Sequence, residues 1–370
     1  MSEIQPVVMP KWGLAMSEGT LTSWLVAEGS EVKKGDDLAE IETTKISNVF
    51  ESPTGGKIRR QLVQGGDIVP VGALLAVVAG DDVSDTDIDA FVSSFVVDTA
   101  DDGGAPKLVE AEADFGGRKV FYRLAGKDSE GTPIVLIHGF GGDADNWVLN
   151  QQPLAEHHPV YALDLPGHGR SSKTVDKGDL YELADAVVAV MDAGAVAKAH
   201  LVGHSLGAAV AFAVLGRYPD KVCSITGLAP AGLGETVNDA YIQGFISAEK
   251  RKEVKAALQM LVADPDKVSA NMIEGIQRFK RLENVKDALV LIASKTMAAG
   301  RQTASFRELV ETSQIPMQVI WGKKDIIIDP NHGEGLPSRV RVDRLDGIGH
   351  MPHLEASETV NQRVLDISRT

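Results

Sequence analysis

A single cysteine among 370 residues excludes any internal disulfide and is expected of a chain kept reduced, as in a cytoplasm. That residue, Cys223, lies in the apolar segment Val222-Cys223-Ser224-Ile225, where a buried and unreactive thiol is expected. No apolar run approaches the ~20 residues of a membrane-spanning helix, and no signal-peptide pattern opens the chain. Basic charge is short as well. Lys and Arg number 37 against 52 Asp and Glu, a formal charge of −15, and they form no stripe. That argues against nucleic acid as a partner. No H-x-x-x-H or clustered Cys/His pattern is read as metal-ligating, so no metal site is expected.

The acidic charge that is present is unevenly spread. Residues 1–80 carry 7 basic and 10 acidic side chains, and residues 81–107 carry eight Asp against Lys107 alone. A chain of this length should hold about two domains, and the acidic block marks the boundary between them.

The first eighty residues repeat at an offset of 37. Gly19, Leu21, Leu25, Val26, Gly29, Val32, Gly35, Leu38, Ala39 and Ile41 fall onto Gly56, Ile58, Leu62, Val63, Gly66, Val69, Gly72, Leu75, Ala76 and Val78. Glycines punctuating short apolar stretches are the pattern of short strands and tight turns. Two such halves predict a small β-sandwich with an approximate two-fold axis. At the seam, strand-forming residues flank Lys45 on both sides and predict a hairpin with Lys45 at its tip, opposite the chain termini. A turn lysine alone is only a solvated charge.

The segments Glu28-Gly29-Ser30-Glu31-Val32, Gly35-Asp36-Asp37-Leu38, Glu40-Ile41-Glu42-Thr43-Thr44-Lys45 and Ser52-Pro53-Thr54-Gly55-Gly56 resemble a lipoyl domain. The resemblance covers essentially all of residues 3–80. It implies an all-β flattened barrel with lipoic acid in amide linkage on Lys45. Biotin carrier domains share that fold but resemble one another around Ala-Met-Lys-Met, whereas this chain has Thr44-Lys45-Ile46. Lipoate is therefore implied over biotin, and acyl thioester chemistry would reside on the cofactor.

Residues 81–107 read as an acidic linker, with Gly103-Gly104-Ala105-Pro106 near its end. Within it, Ile88, Phe91, Val92, Phe95 and Val96 recur at helical spacing, and Ser84 with Asp87 gives an N-cap signal. A short amphipathic helix is expected there, its stripe docked on one of the domains or, alternatively, on a partner subunit. A subunit-binding domain of the kind that usually follows lipoyl domains is not recognisable.

Beyond residue 108, strands are expected at Val120–Tyr122, Pro133–Ile137, Val160–Asp164, Val222–Leu228, Met317–Trp321 and Arg339–Val342, with a helix over Tyr181–Met191. Residues 238–303 are helical in pattern and read as a strandless lid. The organising stretch is Leu201-Val202-Gly203-His204-Ser205-Leu206-Gly207, between a strand-like run and a helix-forming one. A sharp turn there would lift the Ser205 hydroxyl above the sheet, and side chains at 203 or 207 would collide with neighbouring backbone. The loop His138-Gly139-Phe140-Gly141-Gly142 can bring backbone amides close to a ligand. Asp325 and His350 follow later strands, at the sheet edge where ligands of such sheets bind.

These features resemble the α/β-hydrolase fold across Leu108–Thr370. Ser205, Asp325 and His350 stand in its triad order. His350 is then the base, Asp325 the acid that orients it, and the backbone N–H groups of Phe140 and Leu206 the oxyanion donors. Asp329 is the rival acid. His204 and His353 are the rival bases, and they and His138 are expected to be structural.

The organisation is thus a lipoyl domain over 1–80, an acidic linker over 81–107 and an α/β-hydrolase-fold domain over 108–370, with its helical lid at about 238–303. That fusion resembles the acyltransferase components of acetoin dehydrogenase complexes. The resemblance implies transfer of acetyl from lipoyl-Lys45 to CoA. It implies a thiamine-diphosphate-dependent acetoin-cleaving enzyme and a dihydrolipoamide dehydrogenase as partners, and a homo-oligomeric core. The H-x-x-x-D-G signature of ordinary dihydrolipoamide acyltransferases is missing. The same triad would serve an esterase or C–C bond hydrolase carrying a lipoyl domain, and the residues alone leave both readings open.

Overall fold

The computed structural model describes residues 4–12, 16, 18–43, 47–95 and 108–369. It divides into two compact units, residues 1–104 with 267–275 and residues 105–266 with 276–370.

The first unit opens with eight strands: β1 (Gln5–Val8), β2 (Glu18–Trp24), β3 (Glu31–Val32), β4 (Asp37–Glu42), β5 (Ser47–Glu51), β6 (Gly56–Gln61), β7 (Ile68–Pro70) and β8 (Leu74–Ala79). They form two four-stranded sheets in the orders β1-β8-β6-β3 and β5-β4-β2-β7. The sequence repeat is the symmetry of this sandwich. An offset of 37 carries β2 onto β6, β3 onto β7 and β4 onto β8, so each sheet copies the other with β5 in the place of β1. Leu21, Leu38, Ala39 and Ile41 are fully buried, and so are their repeat mates Ile58, Leu75, Ala76 and Val78. Turn glycines repeat as well: Gly29 and Gly66 have φ of 92° and 98°, Gly35 and Gly72 of 91° and 81°. Residues with a Cβ rarely adopt that left-handed backbone. In the β4–β5 hairpin the last pair is Glu42 opposite Ser47, and Lys45 between them lies outside the described residues. Ile41 opposite Asn48 is the repeat equivalent of Val78 opposite Gln5. The axis thus relates the hairpin end of one sheet to the end of the other where the chain enters and leaves.

The amphipathic segment forms α1 (Asp85–Ser94). Ser84 caps it, accepting the Asp87 N–H at 3.1 Å, and Phe95 closes it as C-cap. Ile88 is fully buried and packs with Val77, Ala79 and Val83, Phe91 and Val92 joining from the same face. Three ion pairs add to the seam: Lys57–Asp81 at 2.8 Å, Arg59–Asp85 at 2.9 Å and Arg60–Asp89 at 3.0 Å. Half of the acidic block is therefore folded against the repeat sandwich, its aspartates facing the cluster of basic residues on β6. Val96 lies outside the described residues.

The second unit is built on an eight-stranded sheet, β18-β17-β14-β13-β11-β12-β10-β9. Its strands are β9 (Val109–Phe115), β10 (Arg118–Ala125), β11 (Ile134–Ile137), β12 (Val160–Leu163), β13 (Ala199–His204), β14 (Val222–Leu228), β17 (Met317–Gly322) and β18 (Arg341–Leu345). From β12 to β18 neighbours run parallel, while β9 and β10 close one edge antiparallel. Helices α2 (Gln151–Ala155), α3 (Leu180–Ala193), α4 (Leu206–Arg217) and, later, α9 (Arg307–Thr312) connect the strands, and α10 (Pro352–Glu355) and α11 (Ser357–Ser368) follow the last of them. The central parallel strands are covered on both faces, with β11, β12, β13 and β17 buried throughout. Central strands covered on both sides read as continuous apolar runs, which is why they were legible. Strand β9 was not: in Val109-Glu110-Ala111-Glu112-Ala113-Asp114 the acids point out at an exposed edge, where charge discourages further pairing.

Between β14 and β17 lie α5 (Asp239–Ser247), α6 (Arg251–Gln259), α7 (Ala270–Lys280) and α8 (Val285–Thr296). The expectation of a strandless stretch needs correction. Strands β15 (Met297–Ala298) and β16 (Arg301–Gln302) pair across a turn in which Ala299 and Gly300 have φ of 49° and 73°. Two-residue strands are too short to leave a periodic signal.

Candidate active site

Four strand ends supply the site. Ser205 follows β13 directly, Phe140 stands three residues beyond β11, Asp325 three beyond β17 and His350 five beyond β18. All lie at the C-terminal edge of the parallel strands, where the sheet leaves a crevice for ligands.

Ser205 has φ 52° and ψ −116°, a conformation that costs of order 1–3 kcal/mol and persists only when its surroundings enforce it. The flanking glycines show how. A Cβ on Gly203 would stand 2.4 Å from Gly207 O, and one on Gly207 would stand 2.1 Å from Ile137 O. Backbone fills both places, so no rotamer change could relieve a side chain there. The His138–Gly142 loop crosses the same turn: a Cβ on Gly139 would lie 3.2 Å from the Ser205 Cβ. Phe140 and Leu206 are both buried. Among the described residues neither backbone N–H has a hydrogen-bond partner, leaving two donors for an oxyanion.

The loop that holds Phe140 is fixed from below. His138 Nδ1–H donates to Gly139 O at 2.7 Å while its Nε2 accepts the Leu165 N–H at 2.9 Å, and burial holds its pKa down to about 4. Asp164, after β12, accepts the N–H groups of Ala144 and Arg170, each at 2.6 Å. Burial and the neighbouring Asp143 push its carboxyl up to about 6. From above, Phe245 of α5 covers the loop, 5.9 Å from Phe140 between ring centroids. A Cβ on Gly141 would meet the Phe245 ring at 2.4 Å. Helix α5 thus packs directly on the His138–Gly142 loop.

His350 and Asp325 meet. Nδ1 of His350 lies 2.7 Å from Oδ2 of Asp325, and both side chains are buried. The other Asp325 oxygen accepts the Ile327 and Ile328 N–H groups at 2.8 and 3.1 Å. Held at both oxygens, the carboxylate fixes the imidazole with Nδ1 protonated and Nε2 free to accept a proton. The rival acid Asp329 instead caps a short helical turn, Pro330–Gly333, through the Asn331 N–H. Gly322 makes the approach possible, since a Cβ there would fall 2.1 Å from Gly349 O.

The rival bases are packing elements. Nε2–H of His204 donates to His350 O at 2.8 Å, and its ring lies 4.5 Å from that of His353. His353 is fully buried against Trp147, 4.8 Å between centroids, and neither of its nitrogens has a partner among the described residues. Burial lowers its pKa to about 3. Burial, then the two neighbouring imidazoles, drives that of His204 far down. His200 and His204 do have the four-residue spacing of a helical metal pair. On a strand that spacing separates them by about 13 Å, and His200 turns instead to Ser224 Oγ. No group that could hold a metal occurs among the described residues. Cys223 is half-buried rather than buried, and burial still raises its thiol pKa, which keeps it a weak nucleophile. Lys250, Arg251 and Lys252 are exposed at the start of α6 beside Glu253.

The fold and this constellation define an α/β-hydrolase-fold enzyme preceded by a lipoyl-type domain. The family model described as alpha/beta hydrolase fold matches residues 132–357, and that described as biotin-requiring enzyme matches 5–78. The chain is 43% identical over the full length of both chains to the dihydrolipoyllysine-residue acetyltransferase component of the acetoin cleaving system of Pseudomonas putida. It is 40% identical to the protein of the same description from Cupriavidus necator, covering 97% of this chain and 96% of that one. It belongs to that family of acetyltransferase components and is an enzyme with a lipoyl domain. Among solved structures it is similar to 2-hydroxy-6-oxo-6-phenylhexa-2,4-dienoate hydrolase from Rhodococcus, with a TM-score of 0.63, 20% identity and coverage of 72% of this chain and all of the other. At that identity the likeness is one of fold. No helix among the described residues is long and apolar enough to cross a membrane.

Proposed function

We propose that acetyl transfer runs through an ester on Ser205, with His350 as general base, Asp325 as its orienting acid, and the Phe140 and Leu206 amides as oxyanion donors. The observation that carries this reading is the 2.7 Å bond from His350 Nδ1 to a doubly held Asp325, at the strand edge that also presents Ser205. Lys45 would hold the lipoyl group, which supplies a thiol as acetyl carrier. At the site, Ser205 Oγ attacks the acetyl carbonyl and passes its proton to His350 Nε2, which returns it to the departing thiolate. The thiol of CoA then gives its proton to His350 as its sulfur attacks the Ser205 ester, and Ser205 takes that proton back. Thioester exchange is close to thermoneutral while hydrolysis is downhill, so selection against water is kinetic. The lid packed on the oxyanion loop is the means of excluding it.

Acetyl-dihydrolipoamide supplied with rising CoA tests this. Acetyl-CoA should replace free acetate as product, and both should vanish in Ser205→Ala. Acetate release unaffected by saturating CoA would make the site a hydrolase.

The same reading assigns the chain a cytoplasmic place beside a thiamine-diphosphate-dependent acetoin-cleaving enzyme and a dihydrolipoamide dehydrogenase, in a homo-oligomeric core. The full-length relatives' description as components of an acetoin cleaving system supports it. Co-purification of the three proteins and the sedimentation of this chain alone would test it.

A further inference from the structure

The loop that carries His350 is held by its backbone, and two of its holds come from the lid. The His350 N–H donates to Leu261 O at 2.8 Å. Leu261 lies just beyond α6, whose C-cap is Met260. Either side of His350, the N–H groups of Gly349 and Met351 donate to one oxygen of Glu355, at 3.0 and 3.2 Å. The other Glu355 oxygen accepts the Ala263 N–H at 2.8 Å. Gly349 is glycine because the lid backbone runs against it: a Cβ there would lie 2.6 Å from Ala263 N and 2.8 Å from Val262 C. One half-buried carboxylate therefore bridges the catalytic-histidine loop and the chain segment on which the lid helix α6 ends.

We propose that Glu355 is a positioning residue that couples the lid to His350. It rests on the reading of Ser205, His350 and Asp325 as the reacting group, and extends it. The segment Leu261–Ala263 cannot leave the His350 loop without breaking the bond at Leu261 O and the bond at Glu355. Both bonds bear on residues 349–351, so displacing the lid displaces the imidazole from Ser205. With the lid in place, the carboxylate gathers three N–H groups that would otherwise lack an acceptor. Closing the lid over a bound acyl thiol and aligning the base are then one event, and the base is aligned only when water is excluded. The His204 bond to His350 O ties the same loop to the elbow and gives the lid's push a fixed stop.

The test uses the full lipoylated chain and two variants. In Glu355→Ala, kcat for acetyl transfer to CoA should fall about 10–100-fold with little change in KM, the size of loss expected from a misplaced catalytic group. Glu355→Gln keeps one oxygen for Gly349 and Met351 but turns an NH2 toward the Ala263 N–H. It should recover part of kcat and raise the fraction of acetyl lost to water. Hydrogen exchange at the His350 and Ala263 amides should quicken together in Glu355→Ala. The low-field proton signal of the His350–Asp325 bond, assigned by its loss in Asp325→Asn, should broaden. A purely structural role would lower Tm while leaving kcat per folded enzyme, the low-field proton and the acetate fraction unchanged, and that result overturns the proposal. If Glu355→Ala does not fold, Glu355→Gln alone decides by the same three readouts. If Ser205→Ala retains full transfer, the triad reading fails by itself. The coupling is then judged by exchange and the proton signal, which need no turnover; unchanged values would overturn it.

Discussion

All nine histidines of the chain follow residue 137, and none occurs in the first unit. The first unit has an interior of Val, Leu, Ile, Met and Ala, doubled by a repeat, and carries the lysine to which the resemblance assigns lipoate. The second buries His138, His168, His204, Asp164, Asp325 and His350, accepting desolvation of polar groups to hold Ser205, the His350–Asp325 pair and the Phe140 and Leu206 amides in place. A carrier needs only a scaffold that does not interfere, because its chemistry is on the cofactor. A catalyst needs its polar groups preorganised and dry. Perturbation of the two units should therefore fail in different ways.

The sharpest contrast is Lys45→Arg. It keeps the charge but removes the amine that would take lipoate, so transfer within the assembled complex should stop altogether. Turnover of free acetyl-dihydrolipoamide should be unchanged, and intact mass should show loss of the modification. Ser205→Ala and His350→Ala should invert the pattern. Lipoylation should be normal, while acetyl-CoA formation from the free substrate falls by about three to six orders of magnitude, with Asp325→Asn somewhat less or similar. Loss of both lipoylation and free-substrate turnover in any one of these variants would break the division of labour.

Acid should separate the units next. His138, His168, His204 and His353 are fully buried with pKa values lowered by burial, to about 4, 3, far down and about 3 respectively. A group whose folded pKa lies below its unfolded value of about 6.5 stabilises the fold above that pH and loses the contribution as pH falls. Each costs roughly 1.4 kcal/mol per pH unit below 6.5, so four together remove several kcal/mol by pH 5.5. Asp164, raised to about 6, acts the other way, gaining stability as pH falls below about 6, but it is one group against four. Hydrogen exchange followed peptide by peptide should show the second unit opening between pH 6.5 and 5 while the repeat sandwich stays protected. Simultaneous opening of both would refute the contrast.

What was legible in the sequence follows the same division. The repeat at 37 was readable because each equivalent position answers the same steric demand twice. The elbow was readable because Gly203 and Gly207 are forced by backbone at 2.4 and 2.1 Å. Strand β9 and the β15–β16 pair were missed because edge strands with outward acids and two-residue pairs carry no apolar periodicity. Glu355 lay in view, in His350-Met351-Pro352-His353-Leu354-Glu355, but its role depends on Leu261 and Ala263, almost a hundred residues earlier. No local spacing reports that. The docking of α1 was legible as a stripe at helical spacing; the surface that receives it was not, since Val77 and Ala79 belong to a strand whose other face fills the sandwich.

That surface gives the smallest effect. Ile88 is the one fully buried side chain of α1, and it is held by Val77, Ala79 and Val83. A helix of ten residues is marginal in water without such packing. Ile88→Ala should cost about 2 kcal/mol, at the low end for buried Ile→Ala because a surface helix can settle into part of the gap. The loss should be local. Amide exchange over residues 85–94 should rise roughly thirty-fold, as ~2 kcal/mol implies for an opening equilibrium, with the Tm of the second unit and the turnover of free acetyl-dihydrolipoamide unchanged. The pairs Arg59–Asp85 and Arg60–Asp89 are exposed on the acid side and should hold little of the helix by themselves. If exchange over 85–94 stays slow in Ile88→Ala while co-purification with the other components weakens, the apolar stripe serves a partner subunit rather than the sandwich. The acidic block would then belong to the assembly and not to the carrier's own fold.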